Sequence, residues 1–283
     1  MPDMAFRVAL IGFGEAAQAF AAAANWGSAA AAFDIKTDKA KHADYAALGV
    51  TGCASARGAL AGTPAALSLV TADAALAAAR DDAPFLAAGA FWFDMNSAAP
   101  ETKRAAEAAI TAAGGRYVDV AVMAPVHPKR TAVPLLVSGP HAEAGASLLQ
   151  DLGFQDVRCV GAKIGDASAI KMIRSVMVKG IEALTAECVL AAHRAGVLDE
   201  VLSSLGADWP QKADYNLERM LAHGLRRAAE MEESARTLES LGVAPLMTLG
   251  TISRQRTLGT LGIAPPEGLA EKLAALEKLK VPA

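Results

Sequence analysis

The residues best able to do chemistry fall at two places in this 283-residue chain. The first is near the start, where Val8-Ala-Leu-Ile-Gly12-Phe13-Gly14-Glu15-Ala16-Ala17 follows the G-x-G-x-x-G/A pattern. Gly12 permits a tight turn out of a strand, Gly14 removes a side chain that would block a pyrophosphate, and Ala17 lets the following helix approach the strand. The helix start then offers backbone N–H groups and positive dipole to phosphates. Asp34, about 20 positions further on, ends a second apolar run and suits the ribose hydroxyls of a dinucleotide. Such a motif alone is weak, but behind a strand, ahead of a helix and with an acid at this spacing it is strong. A carboxylate at Asp34 also repels a 2′-phosphate, so NAD is the expected cofactor. Lys36, Thr37 and Lys39, able to surround such a phosphate, keep NADP open. Thr71-Ala72 and Asn96, each just past a later strand, are expected to line the same cofactor. Ser97 follows at the substrate or carboxamide side.

The second place is Lys171. Ser168, Lys171, Ser175 and Val178 recur at helical spacing and share a face. Ala167, Ala169, Ile170 and Met172 around Lys171 are small or apolar, which would desolvate an ammonium and favour its neutral form, and Arg174 one turn on would add to this. A lysine tuned in that direction suits proton transfer to or from a hydroxyl or carbonyl oxygen. Periodicity alone favours the plainer reading, a lysine snorkelling at a helix edge. Arg174 offers a bidentate grip on a carboxylate, and Ser175 a hydroxyl for a substrate oxygen. Lys179, two turns beyond Lys171, is the runner-up.

Positioning these groups takes an alternating architecture. Phe6–Gly12, Ala30–Phe33, Ala66–Thr71, Phe91–Met95, Tyr117–Met123 and Val133–Ser138 read as strands, with alanine-rich helical stretches between the earlier ones. Strands alternating with helices imply right-handed crossovers and a doubly wound, mostly parallel α/β sheet of Rossmann type over residues 1–163. From Asp166, a plausible N-cap, one helix runs to about Ala195, and further helices are predicted over about Ala213–Leu241, from Thr248 and from Glu267. Residues 164–283 are therefore expected to form an all-helical domain for substrate binding and subunit contact.

Composition narrows the partners. The formal net charge is −3 and no basic run stands out, so no nucleic-acid partner is expected. Three cysteines without metal or disulfide spacing point to a reducing compartment, and the five histidines contain no i,i+4 pair, so no metal is expected. Neither a signal core nor a stretch of about 18 apolar residues is found, which predicts a cytoplasmic protein away from membranes.

Taken together, these features resemble the β-hydroxyacid dehydrogenase superfamily, which includes 3-hydroxyisobutyrate and 6-phosphogluconate dehydrogenases. Four stretches carry the likeness: Gly12–Ala17; Asp94-Met-Asn96-Ser97-Ala-Ala-Pro100; Tyr117-Val-Asp119-Val-Ala-Val-Met123-Ala124-Pro125; and Gly165-Asp-Ala-Ser168-Ala-Ile-Lys171-Met-Ile-Arg174-Ser175. The resemblance implies hydride transfer between nicotinamide and the carbinol carbon of a substrate lodged between the domains. Lys171 would exchange the hydroxyl proton, Ser97 and Ser175 orient the oxygen, and Arg174 hold an anionic group. It also implies a homodimer or larger homo-oligomer. Two departures matter. Met123, Ala124 and Pro125 stand where the family binds the substrate carboxylate with serine and glycines, and Arg174-Ser175 replaces paired asparagines. A bulkier, more apolar wall predicts a substrate other than an ordinary small 3-hydroxy acid. An imine reductase and a non-catalytic dinucleotide-binding protein are the rival expectations. The loop His127-Pro-Lys129-Arg130 reads as a surface turn, and Arg227 and Glu230 as a charged helix face, with a site role as the lesser alternative.

Overall fold

A computed structural model describes residues 7–279, so Phe6, expected to open the first strand, lies outside the described residues. The first half alternates as predicted: β1 (Val8–Ile11), α1 (Glu15–Ala24), β2 (Ala30–Phe33), α2 (Lys39–Ala47), β3 (Thr51–Gly52), α3 (Ala56–Leu60), β4 (Ala65–Ser68), α4 (Ala75–Asp82), β5 (Phe91–Asp94), α5 (Pro100–Ala112), β6 (Arg116–Val122), β7 (Leu135–Ser138), α6 (Ala142–Asp151) and β8 (Val157–Gly161). These strands form one sheet in the order β3-β2-β1-β4-β5-β6-β7-β8. Every pairing is parallel except β6 with β7. The exception has a local cause. The β6–β7 connection contains no α-helix to carry the chain back across the sheet, only a 3-10 turn at Arg130–Ala132, and an antiparallel return needs no crossover.

The strands read from the sequence are those buried on both faces: β1, β4, β5 and β7 are buried throughout, so they appear as unbroken apolar runs. The two without a sequence signal are edge strands. β3 is two exposed residues, and β8 (Val-Arg-Cys-Val-Gly) is only half-buried. Two apolar clusters flank the sheet, one around Phe13, Phe20, Phe93 and Phe154, the other around Leu60, Trp92, Ile110 and Tyr117.

The rest is helical: α7 (Asp166–Ala195), α8 (Leu198–Leu205), α9 (Trp209–Ser240), α10 (Leu246–Gly259) and α11 (Leu269–Lys278). α7 has the predicted bounds, whereas α8, eight residues long, lies between the predicted helices. The described residues divide into two compact units, one ending at Lys171 and the other starting at Met172. That division falls inside α7, past the 163/164 boundary expected from sequence. Within the helical unit, Ala183, Leu190, Leu217, Met220, Leu258 and Leu273 share one apolar core.

Where α9 meets α10, Gly224 and Gly259 face each other. A Cβ on Gly224 would sit 2.3 Å from the Gln255 carbonyl oxygen, and one on Gly259 would sit 2.3 Å from the Leu225 nitrogen. Helix propensity favours Gly224→Ala by about 1 kcal/mol, but backbone on both sides cannot yield like a side chain. The helices must part, and overpacking of that kind costs about 3 kcal/mol. Denaturant unfolding should therefore show Gly224→Ala to be clearly less stable; equal or greater stability would mean the helices separate freely.

Candidate functional site

β1 ends in a turn that only glycine can make here. Gly12 has φ +88°, and a Cβ on it would lie 2.7 Å from the Leu69 carbonyl oxygen, just past β4. The turn thus sits where β1 and β4 send their connections to opposite faces of the sheet, the crevice in which ligands bind in open α/β sheets. Gly14 is different. Its φ of −85° suits any residue, and a Cβ there would meet no protein atom within 4 Å. Neither conformation nor packing within the chain calls for glycine at 14; the space beside it is open.

The turn is tied down by groups behind it. Asp34, at the end of β2, accepts from Phe13 N at 2.7 Å and from Lys36 N at 2.9 Å. The Phe13 carbonyl accepts from Lys41 Nζ at 2.6 Å and Gln18 Nε2 at 3.2 Å, and both donors also reach Asp44 Oδ2. The Phe13 ring is fully buried, 4.8 Å from the Tyr45 ring between centroids. Burial, followed by the Asp34 charge, pushes the Tyr45 hydroxyl up to about 12. Phe13 therefore supports the turn from beneath, through its ring and its backbone. Glu15 is exposed, Ala16 half-buried and Ala17 fully buried, the last placing α1 close against the sheet. Gly14, the N-cap of α1, supplies no side-chain cap, which leaves capacity for an anion at that helix end. Lys36, Thr37 and Lys39 are exposed, as is Ile35 at 87%.

The other strands bring their ends to the same edge. Thr71 and Ala72 open a 3-10 turn past β4. Past β5, Asn96 is buried, with Nδ2 donating to Ser68 Oγ at 2.9 Å and Asp94 Oδ1 at 2.7 Å, while its Oδ1 has no partner. Ser97 beside it is half-buried. Met123 packs with Ala121, Leu136 and Ala167, whereas Ala124 packs on the Phe13–Phe93 cluster and Pro125 is exposed. His127–Arg130 is an exposed loop with a cis His127–Pro128 bond. The loop lies against the outer faces of α1 and α2, where His127, Arg130, Glu15, Gln18 and Asp44 line a shallow cavity of about 310 Å³.

Sequence reasoning missed a buried charge cluster behind this edge. Lys103 of α5, fully buried, donates to the Asp94 carbonyl at 2.7 Å and Asp94 Oδ1 at 2.9 Å, and lies 3.5 Å from Asp119 Oδ1. Tyr117 donates to Asp94 Oδ2 at 2.7 Å; burial, then the Asp94 and Asp119 charges, hold its hydroxyl well above the ordinary tyrosine range. The N-cap expectation for Asp166 is corrected here. Asp166 is already helical, and its carboxylate accepts from Lys163 N behind it at 3.3 Å. The amides at the start of α7 go instead to Asp119 and Ser138.

Along α7, Ser168 and Ser175 are buried, Lys171 half-buried and Arg174 exposed. Farther on, Lys179 is buried and donates to Glu230 Oε2 at 2.5 Å, and Arg226 reaches the other Glu230 oxygen at 2.6 Å. Desolvation lowers the Lys179 pKa, against the raising effect of Glu230. Arg227 forms a buried ion pair with Glu182, which also accepts from Gln255 at 3.0 Å. Arg227 and Glu230 are thus set in the interior of the helical unit rather than on a solvated face. Among the described residues no cluster of three or more histidine, cysteine or acidic side chains is arranged to hold a metal ion. No described helix is long and apolar enough to cross a membrane.

Residues 7–161 match the family model of the NAD binding domain of 6-phosphogluconate dehydrogenase, and residues 192–258 match a domain of unknown function, DUF1932. The chain belongs to the β-hydroxyacid dehydrogenase superfamily. It carries that superfamily's dinucleotide-binding sheet together with a C-terminal helical domain. A conserved hypothetical protein from Sinorhizobium meliloti 1021 is 38% identical, with TM-score 0.71, covering 98% of this chain and 97% of that one. The conserved protein MTH1747, of unknown function and described as structurally similar to 3-hydroxyacid dehydrogenases, is 31% identical, with TM-score 0.68, covering 90% and 97%. The 3-hydroxyisobutyrate dehydrogenase of Salmonella typhimurium shares the fold at 18% identity and TM-score 0.72, covering 96% and 99%. A curated relative from Methanothermus fervidus, an uncharacterised 28.5 kDa protein, is 28% identical over a match spanning 55% of this chain and 61% of that one.

Proposed function

We propose that this chain is a nicotinamide-dependent oxidoreductase that binds NAD at the β1–α1 turn and exchanges a proton with substrate through Lys171. The observation that carries the reading is Gly14: a glycine needed neither by its φ nor by any protein neighbour, beside open space at an uncapped helix start. A pyrophosphate resting against bare backbone accounts for it. The orphaned oxygen of buried Asn96 fits the same group, since a nicotinamide-ribose hydroxyl or carboxamide would supply the missing donor.

Asp34 uses one acceptor position on each oxygen for backbone amides, so the carboxylate retains lone pairs for ribose hydroxyls. Its charge opposes a 2′-phosphate, and exposed Ile35 offers apolar surface to an adenine ring. NAD is therefore preferred over NADP. When bound, the nicotinamide supplies or accepts the hydride. Lys171 then gives or takes the proton of the substrate oxygen, and Ser97 orients that oxygen. The Met123-Ala124-Pro125 segment offers no hydroxyl where the family resemblance implies a carboxylate-binding serine. That favours a substrate larger and less polar than a small 3-hydroxy acid, and it gives weight to a second reading, reduction of an imine. Streptomyces aurantiacus imine reductase shares the fold at 20% identity and TM-score 0.55.

Calorimetric titration with NADH and NADPH tests the cofactor assignment. The wild type should bind NADH in the micromolar range and NADPH about tenfold or more weakly. Gly14→Val should abolish binding while costing no more stability than a poorer N-cap, about 1 kcal/mol, because its side chain enters open space. A folded wild type that takes up neither dinucleotide would end the proposal. Binding without turnover on a panel of hydroxy acids and cyclic imines would leave a dinucleotide-binding protein that is not an enzyme for either class.

A further inference from the structure

Asp119 is the one charged residue in the buried stretch Tyr117–Ala121 of strand β6 and is itself fully buried. Its Oδ2 gathers three donors: Ser138 Oγ at 3.1 Å, Gly165 N at 3.2 Å and Ser168 N at 3.0 Å. Ser138, on the neighbouring strand β7, accepts in turn from Ala167 N at 3.0 Å. Two sheet residues therefore take the amides that a helix's own N-cap side chain would otherwise satisfy. The other Asp119 oxygen faces Lys103, which also grips Asp94; Asp94 Oδ1 receives both the backbone and side-chain amides of Asn96. One buried unit thus holds the Asn96–Ser97 edge and the first turn of α7. Lys171 lies one turn past Ser168.

We infer that Asp119 and Ser138 are positioning residues that fix the first turn of α7 against the sheet, and with it Lys171, an inference that rests on reading Lys171 as the acid–base group. The physical reason is where the restraint is anchored. A helix capped by its own side chain is held only to the loop before it, whereas α7 is held to two sheet strands. Lys103 ties the same carboxylate to the strand end that carries Asn96. A slack first turn would let the Lys171 ammonium wander by about 1 Å, enough to cost about a hundredfold in a proton transfer.

Ser138→Ala removes one anchor with little loss of volume, Ser138→Thr keeps the hydroxyl, and Asp119→Asn weakens the shared acceptor. Amide hydrogen exchange over residues 165–171 reads the anchoring. Acylation of Lys171 by acetic anhydride, relative to exposed Lys212 in the same molecule, reads the position of the amine. Ser138→Ala should speed exchange about tenfold and change relative acylation of Lys171 by about threefold or more, with NADH affinity kept within about twofold. Ser138→Thr should restore wild-type values, and Asp119→Asn should move both readouts further than Ser138→Ala. With any substrate that turns over, kcat should fall while KM for NADH holds. Relative acylation of Lys171 unchanged in both Ser138→Ala and Asp119→Asn, or altered equally at every lysine, overturns the inference. A wild type that fails to bind NADH sinks the proposed function alone, because exchange and acylation still decide whether the two residues anchor α7.

Discussion

Lys171→Ala should bind NADH with wild-type affinity and lose about 10²- to 10⁴-fold in turnover on any hydroxy acid or imine the wild type converts, the range expected when a positioned acid–base group is removed. The prediction separates two lysines on one helix. Lys171 is half-buried, one turn from a helix start held by Asp119 and Ser138, so its place against the sheet is fixed. Lys179 is buried and bonded to Glu230; removing it would take the buried cation from a carboxylate that keeps Arg226 and show mainly as lost stability. Steady-state rates and NADH titration on the Lys171→Ala and Lys179→Ala proteins distinguish these roles. Full turnover in Lys171→Ala would take Lys171 out of the mechanism.

The second large effect is thermodynamic. Lys103→Met keeps a straight side chain of similar length but leaves Asp94 and Asp119, both essentially fully buried, without their common cation. Breaking a buried ion pair from one side costs about 3–5 kcal/mol, because the remaining charge has no compensation. Urea unfolding should show a loss of that size. Adding Asp94→Asn to Lys103→Met should recover part of it by removing one stranded charge, although the new amide still competes for Tyr117 and Asn96. A loss below about 1 kcal/mol for Lys103→Met would show that the two carboxylates are satisfied without the lysine.

These two predictions rest on different kinds of information. The β1–α1 turn was legible because its demands are local. A left-handed φ at Gly12, a missing side chain at Gly14 and a small residue at Ala17 are properties of six consecutive residues. The central strands were legible because burial on both faces leaves unbroken apolar runs. The length of α7 was legible because helical periodicity ran unbroken from Asp166 to Ala195. β3, β8 and α8 were not, since short or half-buried elements carry little hydrophobic pattern of their own.

What caps α7 lay beyond local reasoning. Asp166, the acid nearest the helix start, looked sufficient, yet the amides go to residues about 30 and about 50 positions earlier in the chain. Asp94 and Asp119 did carry a signal, because a charge in a buried strand requires a partner. The sequence could not say which of many cations supplies it, and Lys103, among the alanines and charges of α5, carries no local mark that sets it apart from a solvated lysine. By itself, the order of residues determined the α/β sheet, the glycine turn between β1 and α1 and the helix that bears Lys171. Only the tertiary structure decided which distant side chains hold those parts in register. Periodicity and turn geometry act over a few residues, whereas a hydrogen bond between distant positions exists only once the sheet has brought them together.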